Sequence, residues 1–226
     1  MSRTAVITGG TGGLGAAVVS TFVEAGWRVV APVRDGSQRR LPAGAEPVVA
    51  DLTSPEQVEA AIAVAAGQGE APLRAVVNLV GGYAGGGRIH ETAVEDFEAM
   101  LRVNLRPAYL VTQAALPVLV AGGGGSVVCV SSRAAVAPFP GAAGYVTAKA
   151  AVLAFANAVA VEYKGQGVRC NTVLPSVIDT PANRDGMPGD RAKWVDPADI
   201  AKVILFLAGD DSKPTSGAAV PVYGQA

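Results

Sequence analysis

The stretch TAVITGGTGGLG, residues 4–15, decides the fold that the sequence predicts. A short apolar run typical of a strand leads into a cluster of glycines, and the pattern of a helix begins inside that cluster at Gly13. Glycine is required where a chain turns tightly and where the backbone approaches another group closely. The stretch therefore predicts a strand, a tight turn and a helix at the start of the chain.

Short apolar runs alternate with longer helical patterns along the rest of the chain. Strands are expected over residues 4–8, 28–31, 46–50, 75–79, 126–131, 168–173 and 218–222, and helices over residues 13–25, 55–66, 94–120, 143–164 and 197–208. Strands that are apolar on both faces and separated by helices form parallel sheets covered on both sides. The sequence therefore predicts an α/β fold: a doubly wound, Rossmann-like parallel sheet of about seven strands, with ligands at the carboxyl ends of the strands.

Composition limits the classes of protein to consider. At 226 residues the chain is expected to form one domain over residues 1–226, and its formal charge of −1 leaves no basic surface for nucleic acid. The two cysteines, Cys129 and Cys170, match no zinc motif and are expected to be buried free thiols in a reducing compartment. The chain enters a strand at once, without a secretory signal, and no apolar run reaches membrane-spanning length, the best candidate being residues 109–121. We expect a cytoplasmic protein with no membrane segment and no metal site.

The glycine turn has the properties of a phosphate-binding site. Backbone N–H groups at a helix N-terminus bind phosphate, and Gly13 opens the predicted helix toward such a ligand. Gly9 makes the turn, and Gly15 lets the helix lie close to the strands. The residues expected to contact a dinucleotide here are Gly9, Thr11, Gly12, Gly13, Leu14 and Gly15. The spacing is one residue longer than the common dinucleotide fingerprint, and a purely structural turn is the alternative.

Tyr145 and Lys149 lie four residues apart, on the same face of the predicted helix 143–164. That face is apolar and is therefore expected to be buried. A buried ammonium beside a phenol favours the phenolate, which lowers the pKa of the tyrosine from about 10 and suits it to act as a general acid or base. Taken alone, the same spacing is also compatible with two unrelated surface side chains.

Ser132 and Asn104 strengthen the catalytic interpretation. Ser132 ends the fifth predicted strand, at the edge where ligands collect, and its hydroxyl can hydrogen-bond a substrate carbonyl oxygen that gains charge. Ser131 competes for this role, and either serine could instead cap or turn the chain. Asn104 falls on the apolar stripe of its helix and must satisfy its amide internally. It either bends the helix or holds a water that links Lys149 to solvent.

Over essentially the whole chain, these residues resemble the short-chain dehydrogenase/reductase family, in its compact single-domain branch. The family's glycine motif matches Thr8, Gly9, Gly13 and Gly15, and its catalytic set matches Asn104, Ser132, Tyr145 and Lys149. The resemblance implies an NAD(P)(H)-dependent oxidoreductase that transfers hydride to or from a small carbonyl or alcohol substrate. Tyr145 would then donate the proton, and Lys149 would lower its pKa and bind ribose. Ser132 would orient the substrate, and Asn104 would support a proton relay. Such enzymes are commonly homotetramers or dimers.

The resemblance also assigns further cofactor contacts. Asp51 and Leu52 look like the adenine-side pair, although Asp51 could equally start a turn or cap the next helix. The contacts after the fourth and sixth strands would be Asn78, Val80, Gly81, Pro175, Ile178 and Thr180. Residues 78–81 read Asn-Leu-Val-Gly where the family usually has Asn-Asn-Ala-Gly, so the contacts at this loop depart from the usual pattern.

Arg34, at the end of the second strand, bears on the choice of cofactor. An acid at this position would bind both adenosine ribose hydroxyls and repel a 2′-phosphate, whereas a guanidinium can pair with that phosphate. Val33 and Arg34 stand there in this chain, and Asp35 follows one or two places late. We expect NADP(H) to be favoured, with NAD(H) possible. A solvated surface arginine is the alternative.

Two segments, residues 81–87 and 179–194, break the alternation and are expected to overhang the cofactor edge. Tyr83 should face the nicotinamide pocket, where it could either pack against other side chains or contact the substrate. Residues 81–86 and 179–184 look like those of dihydropteridine reductases, a weaker and local resemblance that makes a pterin an alternative substrate. A non-catalytic nucleotide-binding regulator is the alternative from another class of protein.

Overall fold

The sheet has the predicted number and direction of strands. The structure is a computed structural model, and it describes residues 3–67, 70–187 and 189–225. Its strands are β1 (Arg3–Ile7), β2 (Trp27–Val33), β3 (Ala45–Val49), β4 (Leu73–Asn78), β5 (Gly125–Val130), β6 (Val168–Pro175) and β7 (Ala219–Val222). They form one seven-stranded sheet in the order β3-β2-β1-β4-β5-β6-β7, and every adjacent pair is parallel. The predicted doubly wound α/β fold is confirmed.

Helices cover both faces of the sheet. They are α1 (Gly13–Glu24), α2 (Pro55–Ala66), α3 (Val94–Asn104), α4 (Arg106–Ala121), α5 (Ala143–Glu162), α6 (Pro181–Gly186) and α7 (Pro197–Ala208). α1 and α7 pack on one face, where Ile7 and Phe22 are fully buried, and α2, α4 and α5 pack on the other, around Val6 and Leu119. Successive residues of β1 thus enter two separate cores, which explains why the strands are continuous apolar runs.

The direction of winding changes in the middle of the sheet. From β1 the chain builds outward through β2 to β3, and from β4 it builds the other way to β7. Since all the strands are parallel, their carboxyl ends share one edge, and a crevice opens there between β1 and β4. This edge carries the loops that follow β1, β4, β5 and β6.

The helix predicted over residues 94–120 is two helices. α3 ends at Asn104 and α4 begins at Arg106, with Leu105 between them at φ −99° and ψ −47°. Pro107 has no N–H to donate to the carbonyl oxygen four residues earlier, so a continuous helix would leave that oxygen unpaired. The break places Asn104 at the end of α3, beside the loop that follows β4.

A short helix, α6, lies where the sequence predicted an irregular overhang. Thr180 caps its N-terminus by accepting a hydrogen bond from the Asn183 N–H at 3.3 Å, and Pro181 occupies its first turn. Asp179 and Arg184 form a two-point ion pair across it, at 2.6 and 2.7 Å. The segment from Asp179 to the end of α6 therefore has a defined conformation over the carboxyl edge of the sheet, and we call it the ordered cover.

α5 corrects the expectation that no stretch is long and apolar enough to cross a membrane. By length and composition alone, its 20 residues are sufficient. α5 packs on β6 and α3, and Lys149 lies on its buried face. Only 39% of its apolar stretch is buried inside the fold, so the core of the protein accounts for part of its apolar composition.

Candidate active site

Gly9 and Gly15 make the turn after β1 possible. Gly9 has a φ of 72°, a conformation that favours glycine. Its carbonyl oxygen accepts a hydrogen bond from the Gly12 N–H at 3.0 Å. A Cβ on Gly15 would overlap the same carbonyl oxygen. The tight turn therefore requires glycine at both positions.

The first helix, α1, has an open N-terminus at this turn. Gly12, the residue before α1, has no side chain to pair with the first N–H groups of the helix. Such an end favours an anion through its N–H groups and its dipole. Thr180 lies against it, since a Cβ on Gly13 would come within 2.8 Å of the Thr180 Cβ. Thr11 and Leu14 flank the turn as half-buried side chains. The turn is thus a cradle of the kind that a pyrophosphate requires.

Thr8 joins the glycine turn to the loop after β4. Its buried hydroxyl accepts hydrogen bonds from the N–H groups of Leu79 at 3.1 Å and Val80 at 3.4 Å. This brings the Val80 nitrogen within 3.2 Å of the position that a Cβ on Gly9 would take. Val80 and its neighbour Gly81 are therefore held beside the turn.

The neighbouring serines after β5 have different partners. Ser131 is buried and donates its hydroxyl to the Lys149 carbonyl oxygen at 2.6 Å, which fixes α5 to the end of β5. Ser132 is half-buried, accepts a hydrogen bond from the Ala134 N–H at 3.2 Å, and lies close enough to Tyr145 to oppose the rise in the pKa of its phenol. Of the two candidates, Ser132 is therefore the one that faces the phenol.

Lys149 is buried at the centre of the site. Its Nζ donates to the Val130 carbonyl oxygen at 3.1 Å and lies 5.9 Å from the ring centre of Tyr145. A Cβ on Gly81 would come within 3.1 Å of this Nζ and 2.6 Å of the Asn104 Oδ1. Burial lowers the pKa of Lys149 to about 8. The site therefore holds an ammonium whose charge is easily lost.

The expected lowering of the Tyr145 pKa is wrong for this structure. Burial raises the pKa of the phenol from its ordinary value, the hydrogen bond with Ser132 opposes the rise, and Tyr83 adds to it. Lys149 directs its Nζ to the Val130 carbonyl oxygen, so the ammonium does not offset the cost of burying a phenolate. Tyr145 therefore holds its proton at neutral pH.

Asn104 ties the loop after β4 to α3. Its Nδ2 donates to the carbonyl oxygens of Gly82 and Met100, both at 3.0 Å, and its Oδ1 accepts from the Gly82 N–H at 3.2 Å. The residue is buried, and its amide is satisfied internally, as predicted. These bonds give Asn104 a positioning role for the loop that carries Gly81, and the proton relay stays a prediction.

Three rings, those of Tyr83, Phe139 and Tyr145, form an aromatic wall over the site. Tyr83 meets Tyr145 edge-on with ring centres 5.1 Å apart and lies 6.4 Å from Phe139. The Gly86 N–H donates to the Gly141 carbonyl oxygen at 2.7 Å, which ties together the loops that carry Tyr83 and Phe139. Both of these rings are about half exposed, at 56% and 46%. Sequence reasoning missed Phe139, whose signal was a large apolar side chain between two prolines in a loop.

Arg34, Asp51 and Leu52 lie beyond the carboxyl ends of β2 and β3. Arg34 is exposed and directly follows β2, and Leu52 is half-buried. The Asp51 Oδ1 accepts hydrogen bonds from the N–H and hydroxyl of Thr53, at 2.9 and 2.8 Å, which lowers the pKa of the carboxyl group. Asp51 therefore does start a turn, whereas the cap of α2 is Ser54.

Asn78 directs its side chain into the sheet. Its Nδ2 donates to the Thr112 Oγ1 at 3.0 Å and to the Cys129 Sγ at 3.7 Å. Cys129 and Cys170 are buried and free, as predicted. Among residues 3–67, 70–187 and 189–225, no three His, Cys, Asp or Glu side chains come together as a metal site would require.

The predicted contacts after β6 lie under the ordered cover. Pro175 is the last residue of β6, and the carbonyl oxygen of Ile178 accepts hydrogen bonds from the Thr180 N–H and the Asn183 Nδ2, both at 2.8 Å. These bonds fold the segment so that Thr180 reaches the glycine turn. The predicted site residues at the ends of β1, β4, β5 and β6 are therefore brought together at one edge.

Comparison with known proteins gives similarity over the whole chain. A family profile described as "short chain dehydrogenase" matches residues 3–189. The chain is 35% identical to the 2-(R)-hydroxypropyl-CoM dehydrogenase of Xanthobacter autotrophicus, an alignment that covers 99% of this chain and 98% of that enzyme. It is 34% identical to the 2,5-dichloro-2,5-cyclohexadiene-1,4-diol dehydrogenase of Sphingobium indicum, over 98% of this chain and 95% of that one. A solved structure described as "ElxO with NADP Bound" has a TM-score of 0.92 at 26% identity and covers 99% of this chain and 98% of that chain.

Proposed function

Because the chain belongs to the short-chain dehydrogenase family, we propose that Tyr145 is the general acid of an NADP(H)-dependent reduction of a small carbonyl compound. The protein is an NAD(P)-dependent oxidoreductase of that family. One observation carries the finer proposal. The phenol of Tyr145, the hydroxyl of Ser132 and the ammonium of Lys149 converge at the carboxyl edge of the sheet, next to the open N-terminus of α1.

The residues around the glycine turn fit a dinucleotide. The uncapped N-terminus of α1 and the bare backbone of Gly13 would hold the pyrophosphate, with Thr180 alongside. The exposed guanidinium of Arg34 would pair with a 2′-phosphate. A similar solved structure is described as holding NADP, which supports this choice. When bound, the reduced cofactor supplies the hydride.

The protein's own side chains act on the substrate oxygen. In reduction, Tyr145 donates its proton to the carbonyl oxygen, and the hydroxyl of Ser132 donates a hydrogen bond to the same atom. The ammonium of Lys149, which uses one donor on the Val130 carbonyl oxygen, would hold the ribose hydroxyls of the cofactor with its remaining donors. Oxidation of the alcohol uses the same groups in the reverse order.

The aromatic wall supports a compact substrate with an apolar body. Tyr83 and Phe139 offer half-exposed rings directly beside Tyr145. Two similar proteins are named as dehydrogenases of a hydroxypropyl compound and of a cyclic diol, which supports a secondary alcohol or its ketone. A pterin would also stack on such rings, so it is kept as the second substrate to test.

Tyr145→Phe tests the proposal. NADPH and NADH consumption would be followed with diketones, aldehydes, acyl thioesters and quinonoid dihydropterin as acceptors. Loss of a general acid should lower kcat by about 10²- to 10⁴-fold for a carbonyl substrate while the Kd of the cofactor stays within about twofold. Tyr163→Phe, which removes a hydroxyl at the far end of α5, is the matched control.

Two results would contradict this assignment. Full activity in Tyr145→Phe with a carbonyl substrate would remove the acid role. Tight cofactor binding without turnover of any acceptor would favour the non-catalytic regulator. Activity of the variant with dihydropterin alone would assign the pterin as substrate, because its reduction relies less on this proton.

Self-association and a cytoplasmic location complete the proposal. A groove of about 430 Å³ lies between α3, α4 and α5 and is lined by Leu101, Leu105, Tyr109 and Phe155, among others. Such an apolar groove supports pairing with a second copy through the long helices. Sedimentation at two protein concentrations would distinguish monomer, dimer and tetramer. The buried free thiols support a reducing compartment.

A further inference from the structure

A large cavity lies at the edge of the sheet opposite to Tyr145. Its volume is about 1070 Å³. Its walls include Arg3, Trp27, Gly125 and Val168, which are the first residues of β1, β2, β5 and β6. We call it the amino-edge cavity, because in a parallel sheet these residues mark the amino ends of the strands. The proposed oxidoreductase activity makes no use of it.

The amino-edge cavity is lined by many cations. Five of the chain's 18 Lys and Arg residues face it, and these are Arg3, Arg74, Lys164, Arg169 and Lys213. Asp210 is the only acid among the described residues that line the cavity, and it pairs with Arg3 at 3.1 Å. The chain as a whole has a formal charge of −1, so this positive charge is local. Local positive charge in a concave site raises the concentration of anions there.

Two of these cations are hydrogen-bonded to carbonyl oxygens at the C-terminal ends of helices. Arg74 donates to the carbonyl oxygens of Gly122 and Gly124, the latter at 3.0 Å, just beyond α4. Arg169 donates to those of Leu207 and Gly209, at 3.0 and 2.9 Å, at the end of α7. Each helix C-terminus carries about half a negative charge, so the four that end here, those of α1, α4, α5 and α7, contribute about two. Five cations exceed that requirement even after Asp210 is counted.

Lys164 and Lys213 carry the positive charge that the helix ends and Asp210 leave unpaired. Both are exposed, and neither Nζ makes a hydrogen bond or ion pair with the part of the chain that the structure describes. Trp27 adds to the same wall: the Arg3 guanidinium lies 4.2 Å from its ring centre, and its buried Nε1–H has no acceptor among the described residues. The cavity therefore combines two uncommitted ammonium groups with an indole ring in its wall.

We propose that the amino-edge cavity binds a small molecule that bears two or more phosphoryl groups. Each phosphoryl group carries up to two negative charges, so linked phosphoryl groups can pair with all of the excess positive charge, whereas a single carboxylate would leave about half of it unpaired. Lys164 follows α5 and Lys213 follows the α7 segment, and both line the same cavity, so linked phosphoryl groups would supply an anionic partner for each ammonium group. The volume lies just above the usual range for small-molecule sites, which is about 300–1,000 Å³. A concave site of this kind suits a small ligand better than a nucleic acid.

The fluorescence of Trp27 gives a direct test. In Trp194→Phe, Trp27 is the remaining tryptophan of the chain. Inorganic tripolyphosphate would be titrated without NAD⁺ or NADP⁺, because each of these nucleotides itself bears linked phosphoryl groups, and the lysine variants below distinguish the amino-edge cavity from the glycine turn. We expect a saturable change in Trp27 fluorescence and a rise in the thermal midpoint. ATP titrated in the same way would show which part of a ligand the cavity recognises. Tighter binding of ATP than of tripolyphosphate would identify a nucleotide as the ligand. Equal or weaker binding would show that the phosphoryl chain alone is recognised.

Removal of the two free ammonium groups should weaken this binding. Lys164→Ala combined with Lys213→Ala, in the Trp194→Phe background, is expected to raise the Kd for tripolyphosphate at least tenfold and to abolish the thermal shift. Lys202→Ala removes an exposed lysine of α7 that pairs with Asp199, and it should leave both readouts unchanged. Oxidoreductase activity of the double variant would show that it folds. The proposal is overturned if neither readout responds to tripolyphosphate, or if the double variant and Lys202→Ala respond alike.

Discussion

The two edges of the sheet each hold a cation against backbone carbonyl groups, but with different numbers of acceptors. At the amino edge, Arg169 donates to three carbonyl oxygens, the third being that of Thr215, and to the Ser212 hydroxyl at 2.9 Å. At the carboxyl edge, Lys149 donates to the single carbonyl oxygen of Val130. A cation with enough acceptors stabilises the fold, whereas one with a single acceptor keeps its remaining donors for a ligand.

Replacement of each cation by methionine should give the largest effects, with opposite signs for stability. Lys149→Met is expected to lower activity about 10³-fold. A fall in pKa from 10.5 to about 8 corresponds to a cost of about 3 kcal/mol at neutral pH, and the lost hydrogen bond offsets about 1 of this. The variant should therefore gain about 2 kcal/mol in the free energy of unfolding.

Arg169→Met should do the reverse. It removes the hydrogen bonds that a charged donor makes to the carbonyl oxygens of Leu207 and Gly209, which keep serine hydroxyls as partners, and this should lower the free energy of unfolding by about 3 kcal/mol. Activity per folded molecule should be unchanged. Urea unfolding and steady-state kinetics on the two variants check both halves of the comparison. A loss of stability in both would show that Lys149 is as much a structural cation as Arg169.

The pH dependence of reduction should show which cation is functional. In the proposed mechanism Lys149 acts in its protonated form, so kcat/KM for reduction should fall as the pH rises through about 8, by about tenfold per pH unit. Tyr145 does not set this limit, because burial raises the pKa of its phenol. Lys202→Ala should keep the same profile. A profile that stays flat to beyond pH 9.5 or so would mean that another group sets the alkaline limit.

The free energy of unfolding should also depend on the ionisation of Lys149, but it should rise with pH where the activity falls. The folded-state pKa of Lys149 lies below its unfolded value of 10.5, so the unfolded chain binds more protons between about pH 8 and that value. The free energy of unfolding of the wild type should gain a favourable contribution as the pH rises through this window. The advantage of Lys149→Met should shrink over the same range.

Arg34→Glu should have a smaller effect, confined to the choice of cofactor. Loss of the pair with a 2′-phosphate and the repulsion that replaces it should lower the ratio of kcat/KM for NADPH over NADH by at least about tenfold, or 1.4 kcal/mol. Arg39→Glu makes the same charge change a few residues later in the same loop. Equal effects of the two substitutions would indicate a long-range field and would refute a specific contact of Arg34.

The sequence predicted most of the fold because its signals are periodic. Apolar runs interrupted by helical patterns were sufficient for all seven strands, and the glycine turn located the cofactor edge. The break at Leu105 was missed because Pro107 lies in the first turn of α4, where proline is also well tolerated. α6 was missed because its six residues are too short for a periodic pattern, and what defines it is the cap by Thr180.

The candidate site was predicted as a set of residues but not as a set of contacts. Local sequence could not choose between Ser131 and Ser132, because the choice depends on the Lys149 carbonyl group of a distant helix. The direction of the Tyr145 pKa shift was wrong because the cost of burial depends on packing around the phenol, including Tyr83. Phe139 reaches the site through the bond between two loops, which no spacing in the sequence reveals.

Gly81 sets a limit on how this site can diverge in evolution. Its missing side chain leaves the space in which the Asn104 amide and the Lys149 ammonium approach each other, so even a methyl group there would displace one of them. The next residue, Gly82, has only the side chain of Val103 near, at 3.7 Å. A side chain can therefore be added at Gly82 to accept new substrates without moving the backbone that Asn104 holds, while Gly81 stays invariant in any descendant that retains the chemistry.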